Sequence, residues 1–259
     1  MATQLERART FNALHMKGDP IVLFNIWDAG TASAVARGGA KAIATGSWSV
    51  AGAHGYDDGE LLPFDVALAN LREIVAVVDL PVTIDLESGY GALPESVAET
   101  VAKALKAGAI GFNLEDQIIG TDALYSVPDQ ASRVRAARAA ADKLAIPAYV
   151  NARTDLFLKA DPFTHNEELL DMALERAAAY ADAGGSGFFA PGLIDESLIG
   201  RLCKACPLPV NILMRPNCPS SKRLAELGVA RISYGPGPYR RTMQLIEEAA
   251  RRAHSLSDR

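Results

Sequence analysis

Acidic residues stand at the ends of short apolar runs, where they could bind a metal ion. Asp85 and Glu87 follow one such run in TIDLESGYG, Glu115 and Asp116 follow another in FNLEDQ, and Asp58 lies in AHGYDDGEL. In an extended segment, Asp85 and Glu87 would direct their carboxylates to the same side. Carboxylates that converge repel one another, and a divalent cation relieves the repulsion. An all-oxygen set predicts Mg²⁺, with Mn²⁺ as the alternative, rather than zinc.

The same acids have ordinary structural alternatives. Most Asp and Glu side chains cap helices or lie in water. This alternative weighs more for Asp57 and Glu60 than for Asp85 and Glu115. His54 stands beside the acidic segment and is expected to be a loop or rim residue rather than a base.

Arg153 adds a positive charge to the predicted site. It follows an apolar run in VNARTD, and its planar guanidinium can pair with a carboxylate or a phosphate through two hydrogen bonds. A metal ion beside an arginine describes a site for a small anionic substrate. The alternative is an ion pair between Arg153 and Asp155, or another acid at the same rim.

Eight short apolar runs alternate along the chain with longer helical periods, a pattern typical of parallel β/α units. The runs do not alternate between apolar and polar residues, as expected for strands that are buried on both faces. The predicted strands are Ile21–Asn25, Ala42–Thr45, Val82–Asp85, Ile110–Leu114, Ala148–Asn151, Gly187–Ala190, Val210–Leu213 and Arg231–Ser233.

Helical periodicity between the strands completes the fold prediction. In Pro94–Ala107, apolar residues recur at the spacing of one helix face, with Pro in the first turn and Gly108 after the end. Another helix is predicted at Gln4–Met16, before the first strand. Eight β/α units after an opening helix predict a single (β/α)₈ barrel, a TIM barrel, over residues 1–259. In this fold the chemistry collects at the carboxyl ends of the strands, where the acids and Arg153 stand.

Composition and charge exclude several classes of protein. The net charge is −5 with acidic and basic residues interleaved, so no basic stripe is available for nucleic acid. The N-terminal segment lacks the apolar core of a signal peptide, and no run is apolar enough to cross a bilayer, which predicts a cytoplasmic location without a membrane partner. Three cysteines do not make a disulfide scaffold, and Cys203 and Cys206 are expected to be structural.

Four motifs in order resemble those of the isocitrate lyase and phosphoenolpyruvate mutase superfamily, which includes the 2-methylisocitrate lyases and the carboxyvinyl-carboxyphosphonate phosphorylmutases. The motifs are GYDDGE, IDLESGYG, LEDQ and NARTD, after four successive predicted strands. The similarity extends from FNIWDAG to the final helix. Each motif alone is a weak indication, whereas four in the same order are specific.

The resemblance implies roles for individual residues of the predicted metal site. Asp85 matches the aspartate that ligates Mg²⁺ directly. Asp58, Glu87 and Glu115 match acids that hold the ion largely through water. Arg153 matches the arginine that binds the anionic end of the substrate.

Further residues match the substrate pocket of the superfamily. Gly46 and Ser47, in TGSWS, match the loop whose backbone and hydroxyl bind the carboxylate of a 2-oxo acid. Asn211, in PVNIL, matches an asparagine of the pocket in the C–C lyases. Trp48 occupies a place that is usually small, and Pro191 one that is Glu or His in several members. The resemblance therefore implies a substrate-binding set that includes Trp48, in a reshaped pocket.

Chemistry and assembly are implied by the same resemblance. In the superfamily, Mg²⁺ bridges the C1 carboxylate and the C2 oxygen of the substrate and stabilises the enolate that forms when a bond to C3 breaks. Members tend to exchange their last helix between the subunits of a homotetramer. Residues Pro238–Ala253 are therefore expected to pack on a neighbouring subunit.

The segment after the fourth predicted strand departs from the superfamily. The C–C lyases carry a Lys-Arg-Cys-Gly-His run there, whose Cys protonates the released enolate, and the mutases and phosphonopyruvate hydrolases carry an Asn-Ser pair with a Lys. Here Ile118–Gln130 reads IIGTDALYSVPDQ and has neither feature. Tyr125 could deliver the proton if this segment closes over the site, or it could simply pack the segment.

Together these features predict a Mg²⁺-dependent lyase that cleaves a C–C bond in a small 2-oxo or 2-hydroxy carboxylate. Arg153, Ser47 and Tyr125 are the catalytic candidates. The alternatives are a decarboxylase or hydrolase of an oxaloacetate-like acid, a mutase or hydrolase acting on a P–C bond, and a protein that binds 2-oxo acids without turning them over. A fold alone does not decide among them.

Overall fold

Eight parallel strands form a nearly closed barrel in the computed structural model, which describes residues 2–255. The strands are β1 (Ile21–Leu23), β2 (Ile43–Ala44), β3 (Val82–Asp85), β4 (Gly111–Glu115), β5 (Tyr149–Arg153), β6 (Gly187–Phe189), β7 (Val210–Leu213) and β8 (Arg231–Ser233). Neighbours pair in the order β1-β8-β7-β6-β5-β4-β3-β2. The two ends of this sheet, β1 and β2, meet through a parallel bridge between Ile26 and Thr45.

Helices cover the outside of the barrel and one end of it. They are α1 (Gln4–Ala13), α2 (Ala29–Arg37), α3 (Ser47–Ala53), α4 (Phe64–Val77), α5 (Pro94–Lys106), α6 (Val127–Lys143), α7 (Leu156–Lys159), α8 (Glu167–Asp182), α9 (Glu196–Ala205), α10 (Ser221–Glu226) and α11 (Gly237–Ser255). The predicted (β/α)₈ barrel with an opening helix is confirmed. Within residues 2–255, no helix is both long and apolar enough to cross a membrane.

Local sequence signals account for the limits of α5. Pro94 lies in the first turn, where a missing amide hydrogen costs no intrahelical bond. Gly108 follows the helix end with a φ of 107°, a left-handed conformation that glycine adopts without strain. Val97 and Val101 of this helix are fully buried, so the periodic apolar face predicted from the sequence packs on the barrel.

Two strands continue beyond their apolar runs. The sequence predicts ends at Leu114 and Asn151, but β4 continues to Glu115 and β5 continues to Arg153. Glu115 and Arg153 face each other in the register of the two strands, and opposite charges in such a pair stabilise it. Both polar side chains are therefore positioned by the sheet rather than by a loop.

The amino end of the barrel is closed by α1 and the residues that follow it. Phe11 and His15 pack against Tyr149 of β5, and the His15 ring is stacked on it with 3.7 Å between the centroids. Burial lowers the pKa of His15 to about 3, so this ring is neutral at physiological pH. The open end of the barrel is therefore the opposite one, at the carboxyl ends of the strands.

Two apolar surfaces are exposed, one on the last helix, α11, and one on the outside of the barrel. Among its described residues only Pro238 is buried, and Leu245 and Ile246 are 47% and 55% exposed. On the outside of the barrel, Val22 in β1 and Phe24 just after it are also exposed. The residues predicted to pack on another subunit thus pack little on their own barrel.

Candidate active site

A cavity of about 360 Å³ opens at the carboxyl ends of the strands, the place where barrel enzymes carry their chemistry. Its wall combines several residues singled out in the sequence with others from the first β/α unit and from the later ones. The first group is Gly46, Ser47, Trp48, Asp58, Asp85, Arg153 and Pro191, and the second is Asn25, Leu158, Phe189, Leu213, Met214, Arg215, Pro216, Tyr234, Gly235, Pro236, Gly237 and Arg240.

Asp85 ends β3 and presents its carboxylate to this cavity. The carboxylate accepts long hydrogen bonds from the Ser47 amide at 3.4 Å, the Ser47 hydroxyl at 3.3 Å and the Glu87 amide at 3.4 Å. These bonds are longer than the typical N–H···O distance of about 2.9 Å and therefore weaker. The backbone is held more firmly, because the Asp85 amide donates to the Thr45 hydroxyl at 3.0 Å. The carboxylate thus keeps capacity to bind a cation.

Asp58 faces the same cavity from the loop before α4. The Asp58 side chain is exposed to the cavity. Partial burial by the surrounding protein raises the pKa of Asp58, and the negative charge of Asp85 raises it further. The neighbouring Asp57 is exposed and lies outside the cavity wall. The repulsion between Asp58 and Asp85 is the kind that a bound divalent cation removes.

Glu87 reaches Asp85 through a left-handed turn. The expected extended segment that would carry both carboxylates is wrong, because β3 ends at Asp85 and Glu87 has a φ of 49°. The Glu87 carboxylate accepts hydrogen bonds from the amides of Gly59 and Glu60, both at 2.8 Å. Burial raises the pKa of Glu87 to about 8, and the charges of Asp58 and Asp85 contribute.

Arg153 is held by two acids. Its Nη1 lies 2.7 Å from Glu115, and its Nε and Nη2 donate to the two carboxylate oxygens of Asp155 at 2.6 Å and 2.9 Å. The ion pair with Asp155, which the sequence left open as an alternative, is therefore present. Burial raises the pKa of Glu115 well above its usual value, and the charge of Arg153 lowers it in part.

Asp116 supports this arrangement from outside the cavity. It is fully buried, and it accepts hydrogen bonds from the Asp155 amide at 2.9 Å, from Arg176 at 3.0 Å and from the Tyr180 hydroxyl at 2.9 Å. The sequence grouped Asp116 with the metal-site acids because it adjoins Glu115. Its partners on α8 are distant in sequence and gave no local signal for this supporting role.

The oxygen donors around Asp85 fit a Mg²⁺ ion that is held partly through water. Within residues 2–255, no three His, Cys, Asp or Glu side chains lie close enough together to ligate one ion directly. Mg²⁺ commonly binds through one or two carboxylates and keeps several waters. Asp85 is the candidate for direct ligation, and Asp58, Glu87 and Glu115 are candidates for ligation through water.

Binding of Mg²⁺ is expected to release protons near neutral pH. In the metal-free protein Glu87, with a pKa of about 8, is mostly protonated at neutral pH, and a nearby cation favours its ionised form. The affinity for Mg²⁺ should therefore increase with pH and become constant above the pKa. Titration calorimetry in buffers of different ionisation enthalpy counts the protons that are released.

The same pKa predicts how the stability of the metal-free protein depends on pH. A carboxyl group whose pKa is raised by folding stabilises the folded state below its unfolded pKa of about 4.3, and this contribution is lost as the pH rises through the folded value. Glu87→Gln should weaken the pH dependence of both Mg²⁺ affinity and stability, leaving the part that comes from the raised pKa values of Asp58 and Glu115. Glu99→Gln, at an exposed position of α5, should change neither. A wild-type affinity for Mg²⁺ that does not vary between pH 6 and 9 would contradict the prediction.

The substrate-loop residues lie together at one edge of the cavity. Gly46 and Ser47 begin α3, and the Ser47 hydroxyl contacts Asp85. The ring of Trp48 lies against Arg240 of α11, with the guanidinium carbon 4.5 Å from the ring centroid, a cation–π contact. The unusual tryptophan thus holds an arginine at the cavity wall.

Asn25 connects three of the loops that line the cavity, and the sequence analysis did not single it out. Its Nδ2 donates to the Thr45 carbonyl at 2.8 Å, and its Oδ1 accepts from the amides of Tyr234 at 3.0 Å and Gly235 at 2.8 Å. Gly235 has a φ of 52°, a conformation that glycine adopts without strain, and a Cβ there would lie 2.7 Å from the end of the Leu213 side chain and displace it. Asn25 is the polar residue at the end of the first predicted strand, and this was the available signal.

Four of the sequence candidates lie outside the cavity wall: Glu87, Glu115, Asn211 and Tyr125. Asn211 is 1% exposed and donates to the Ser233 hydroxyl at 3.1 Å inside the barrel, whereas Leu213 of the same strand lines the cavity. The ring of Tyr125 lies against the guanidinium of Arg133, 4.1 Å from centroid to carbon. Tyr125 thus packs its own segment in this conformation.

Comparison with known proteins gives a consistent result. The model of the phosphoenolpyruvate phosphomutase family matches residues 11–254. The 2-methylisocitrate lyase of Escherichia coli K12 is 30% identical over 211 residues, which are 78% of this chain and 68% of that protein. The crystal structure of a proposed phosphonomutase from Burkholderia cenocepacia J2315 is 49% identical, covers 97% of this chain and 100% of its own, and has a TM-score of 0.95. A phosphonopyruvate hydrolase in complex with oxalate and Mg²⁺ shares the fold at 19% identity, with a TM-score of 0.83 over 97% of this chain and 88% of its own.

Proposed function

Because this chain belongs to the phosphoenolpyruvate phosphomutase family, in a superfamily of Mg²⁺-dependent lyases, mutases and hydrolases, we propose that it is a Mg²⁺-dependent lyase. The proposed reaction breaks a carbon–carbon bond in a small 2-oxo or 2-hydroxy carboxylate. The observation that carries the proposal is the Asp85 carboxylate, which within residues 2–255 accepts only long hydrogen bonds and faces the cavity beside Ser47 and Asp58.

Two of the comparisons support this choice. Phosphonopyruvate hydrolase, which has the same fold, forms a complex with oxalate and Mg²⁺, and oxalate resembles the oxygen-bearing end of a 2-oxo acid enolate. The identity with 2-methylisocitrate lyase favours carbon–carbon bond cleavage. The cavity, at about 360 Å³, is within the range of small-molecule sites.

The residues of the cavity divide the work of this reaction. When bound, Mg²⁺ would supply the positive charge that stabilises the developing enolate. Asp85 would hold the ion, and the start of α3 at Gly46 and Ser47 would bind the carboxylate of the substrate. Arg153 fixes the carboxylates of Glu115 and Asp155 in one arrangement beside the residues that would hold the ion. Such preorganised charge needs no rearrangement during the reaction.

The positions of Tyr125 and the cysteines favour a second candidate reaction, in which no protein acid has to protonate the product. The ring of Tyr125 packs against Arg133 rather than in the cavity wall, and the three cysteines are also outside that wall. Decarboxylation of an oxaloacetate-like acid releases CO₂ without an enzyme acid, and water can then protonate the enolate. The second candidate is therefore a decarboxylase that uses the same metal site.

Turnover followed by NMR separates the candidates. Oxaloacetate, isocitrate, 2-methylisocitrate and phosphonopyruvate are each incubated with the protein and Mg²⁺, or with EDTA. Metal-dependent cleavage of isocitrate or 2-methylisocitrate supports the lyase, and pyruvate with CO₂ from oxaloacetate supports the decarboxylase. Turnover of phosphonopyruvate alone indicates P–C chemistry instead. Mg²⁺-dependent binding of oxalate without any turnover would contradict the proposal and indicate a binding protein.

We also propose that the chain forms a homotetramer in which α11 packs on a neighbouring copy. A groove of about 510 Å³ on the outside of the barrel is lined by Val22, Phe24 and Val35. Leu245 and Ile246 of α11 provide an exposed apolar surface of the same character. Contacts between such surfaces in neighbouring copies would bury both.

The paired substitution Leu245→Glu and Ile246→Glu is expected to reduce the mass of the assembly. It places charges where the apolar contact between copies would be, and light scattering after size-exclusion chromatography measures the mass. Gln244→Glu, at an exposed polar position of the same helix, should leave the tetramer intact. An unchanged mass for the paired variant, or a monomeric wild type, would contradict the proposed assembly.

A further inference from the structure

Arg215 makes no ion pair within residues 2–255, unlike Arg153, the paired arginine of the cavity wall. It lies in the loop after β7, is exposed, and lines the cavity. It also lines an adjoining groove of about 700 Å³, together with Phe163 and Pro216. Its guanidinium therefore carries a charge that is available to a ligand in either space.

The loop fixes the backbone of Arg215 while leaving its side chain free. The Met214 amide donates to the Ser233 carbonyl at 2.8 Å, and the Cys218 amide donates to the Arg215 carbonyl at 3.0 Å. Pro216 and the left-handed Asn217, with a φ of 66°, complete a tight turn. A ligand at this position thus has to order only one side chain, which limits the entropic cost of binding.

Arg153 is less available than Arg215 to a substrate anion. Three of its nitrogens are already engaged by Glu115 and Asp155. Two acids already balance the charge of Arg153, so its pull on a further carboxylate is weaker than that of an arginine without an acid partner. The cations of the cavity wall without an ion pair in residues 2–255 are Arg215 and Arg240.

The strand order places Arg215 across the barrel from the metal-site acids. In the sheet, β3 and β7 are separated by β4, β5 and β6 on one side and by β8, β1 and β2 on the other. Asp85 ends β3, and Arg215 follows β7. Arg240, held by Trp48, follows β8. Arg215 therefore faces the metal-site acids from the opposite side of the cavity, whereas Arg240 lies at Trp48, next to the Ser47 that contacts Asp85.

We propose that Arg215 is a specificity-determining residue that binds a second anionic group of the substrate, at the end remote from the 2-oxo acid. This inference rests on the proposed function, because that function places the 2-oxo acid at Asp85. A guanidinium pairs with a carboxylate through two parallel, charge-assisted hydrogen bonds. The substrate class is accordingly a 2-oxo acid with a second carboxylate, rather than a monocarboxylate.

Matched pairs of probes test this inference by calorimetry in the presence of Mg²⁺. 2-Oxoglutarate and 2-oxopentanoate have the same chain length and differ in the distal carboxylate, as do oxaloacetate and 2-oxobutanoate. Oxalate has no distal group and reports on the metal end alone. The wild-type protein is expected to bind one of the dicarboxylates about tenfold or more tightly than its matched monocarboxylate, as a charge-assisted pair allows.

Substitutions then assign the preference to one residue. Arg215→Met is expected to remove the preference and to leave oxalate affinity within about twofold, and Arg215→Lys to retain part of the preference, because lysine keeps the charge but not the planar fork. Arg135→Met removes a charge from an exposed position of α6 outside the cavity and should behave as wild type. An equal preference in wild type and Arg215→Met overturns the inference while oxalate binding still supports the proposed function. Absence of Mg²⁺-dependent binding of oxalate and of every 2-oxo acid overturns both.

Discussion

Replacing Asp85 with asparagine is expected to abolish Mg²⁺-dependent turnover while the barrel stays folded. The change keeps the size of the side chain and removes the charge that faces the cavity. A metal ion that stabilises an enolate contributes several kcal/mol to the transition state, and a loss of about 4 kcal/mol lowers the rate about 1,000-fold. The measurement is kcat/KM on whichever acid the wild type turns over.

Thermal unfolding separates a lost metal ion from a damaged fold. A ligand that binds only the folded state adds RT ln(1 + [L]/Kd) to the free energy of unfolding, so Mg²⁺ should raise the Tm of the wild type but not that of Asp85→Asn. Asp57→Asn is the matched control, because Asp57 is exposed and outside the cavity wall. An Asp85→Asn protein that keeps both its activity and its Mg²⁺-dependent Tm would show that the metal ion does not bind at Asp85.

Replacing Arg133 with methionine is expected to destabilise the protein strongly. Arg133 is 1% exposed, and it donates to the Gly91 carbonyl at 2.8 Å, to Gln130 at 2.9 Å, and to the carbonyls of Ser88 and Ala92. Methionine fills much of the same volume but donates nothing. Leaving these acceptors unpaired should cost about 3 kcal/mol or more, which corresponds to a decrease in Tm of about 10 °C.

The expected damage reaches the metal site as well as the fold. The carbonyls bound by Arg133 belong to the turn that follows Glu87, so the Mg²⁺ affinity of Arg133→Met should also decrease. Calorimetric unfolding with and without Mg²⁺ measures both effects. Arg135→Met, two residues further along α6 and exposed, should unfold like the wild type. If the two variants are equally stable, the hydrogen bonds of Arg133 do not hold this turn.

The sequence predicts the barrel because the signals that specify it are local. Apolar runs and helix-end residues such as Pro94 and Gly108 act within a few positions, and β3, β7 and β8 have the predicted limits. β4 and β5 continue further because Glu115 and Arg153 pair across the two strands. A pattern of apolar residues does not predict that pairing, since both partners are charged.

The residues of the site also divide into those that have a signal in the sequence and those that have none. The ordered motifs predict Asp85, Ser47 and Arg153 as site residues, and all three line the cavity. The stacking of Tyr125 on Arg133, by contrast, joins elements whose approach depends on the complete fold. Arg215 gave no signal either, because its place across the barrel from the acids follows from the closed strand order.

The join between β1 and β2 determines where this barrel can open. In residues 2–255 the two strands share one parallel bridge, with the Ile26 amide donating to the Ala44 carbonyl at 2.9 Å and the Gly46 amide donating to the Ile26 carbonyl at 3.3 Å. β4 and β5, by contrast, pair over five residues. Local unfolding begins where few backbone bonds have to break, so amide hydrogens at this join should exchange with solvent before those of β4 and β5. Because Gly46 also borders the cavity, a bound substrate would slow that exchange and couple occupancy of the site to closure of the barrel.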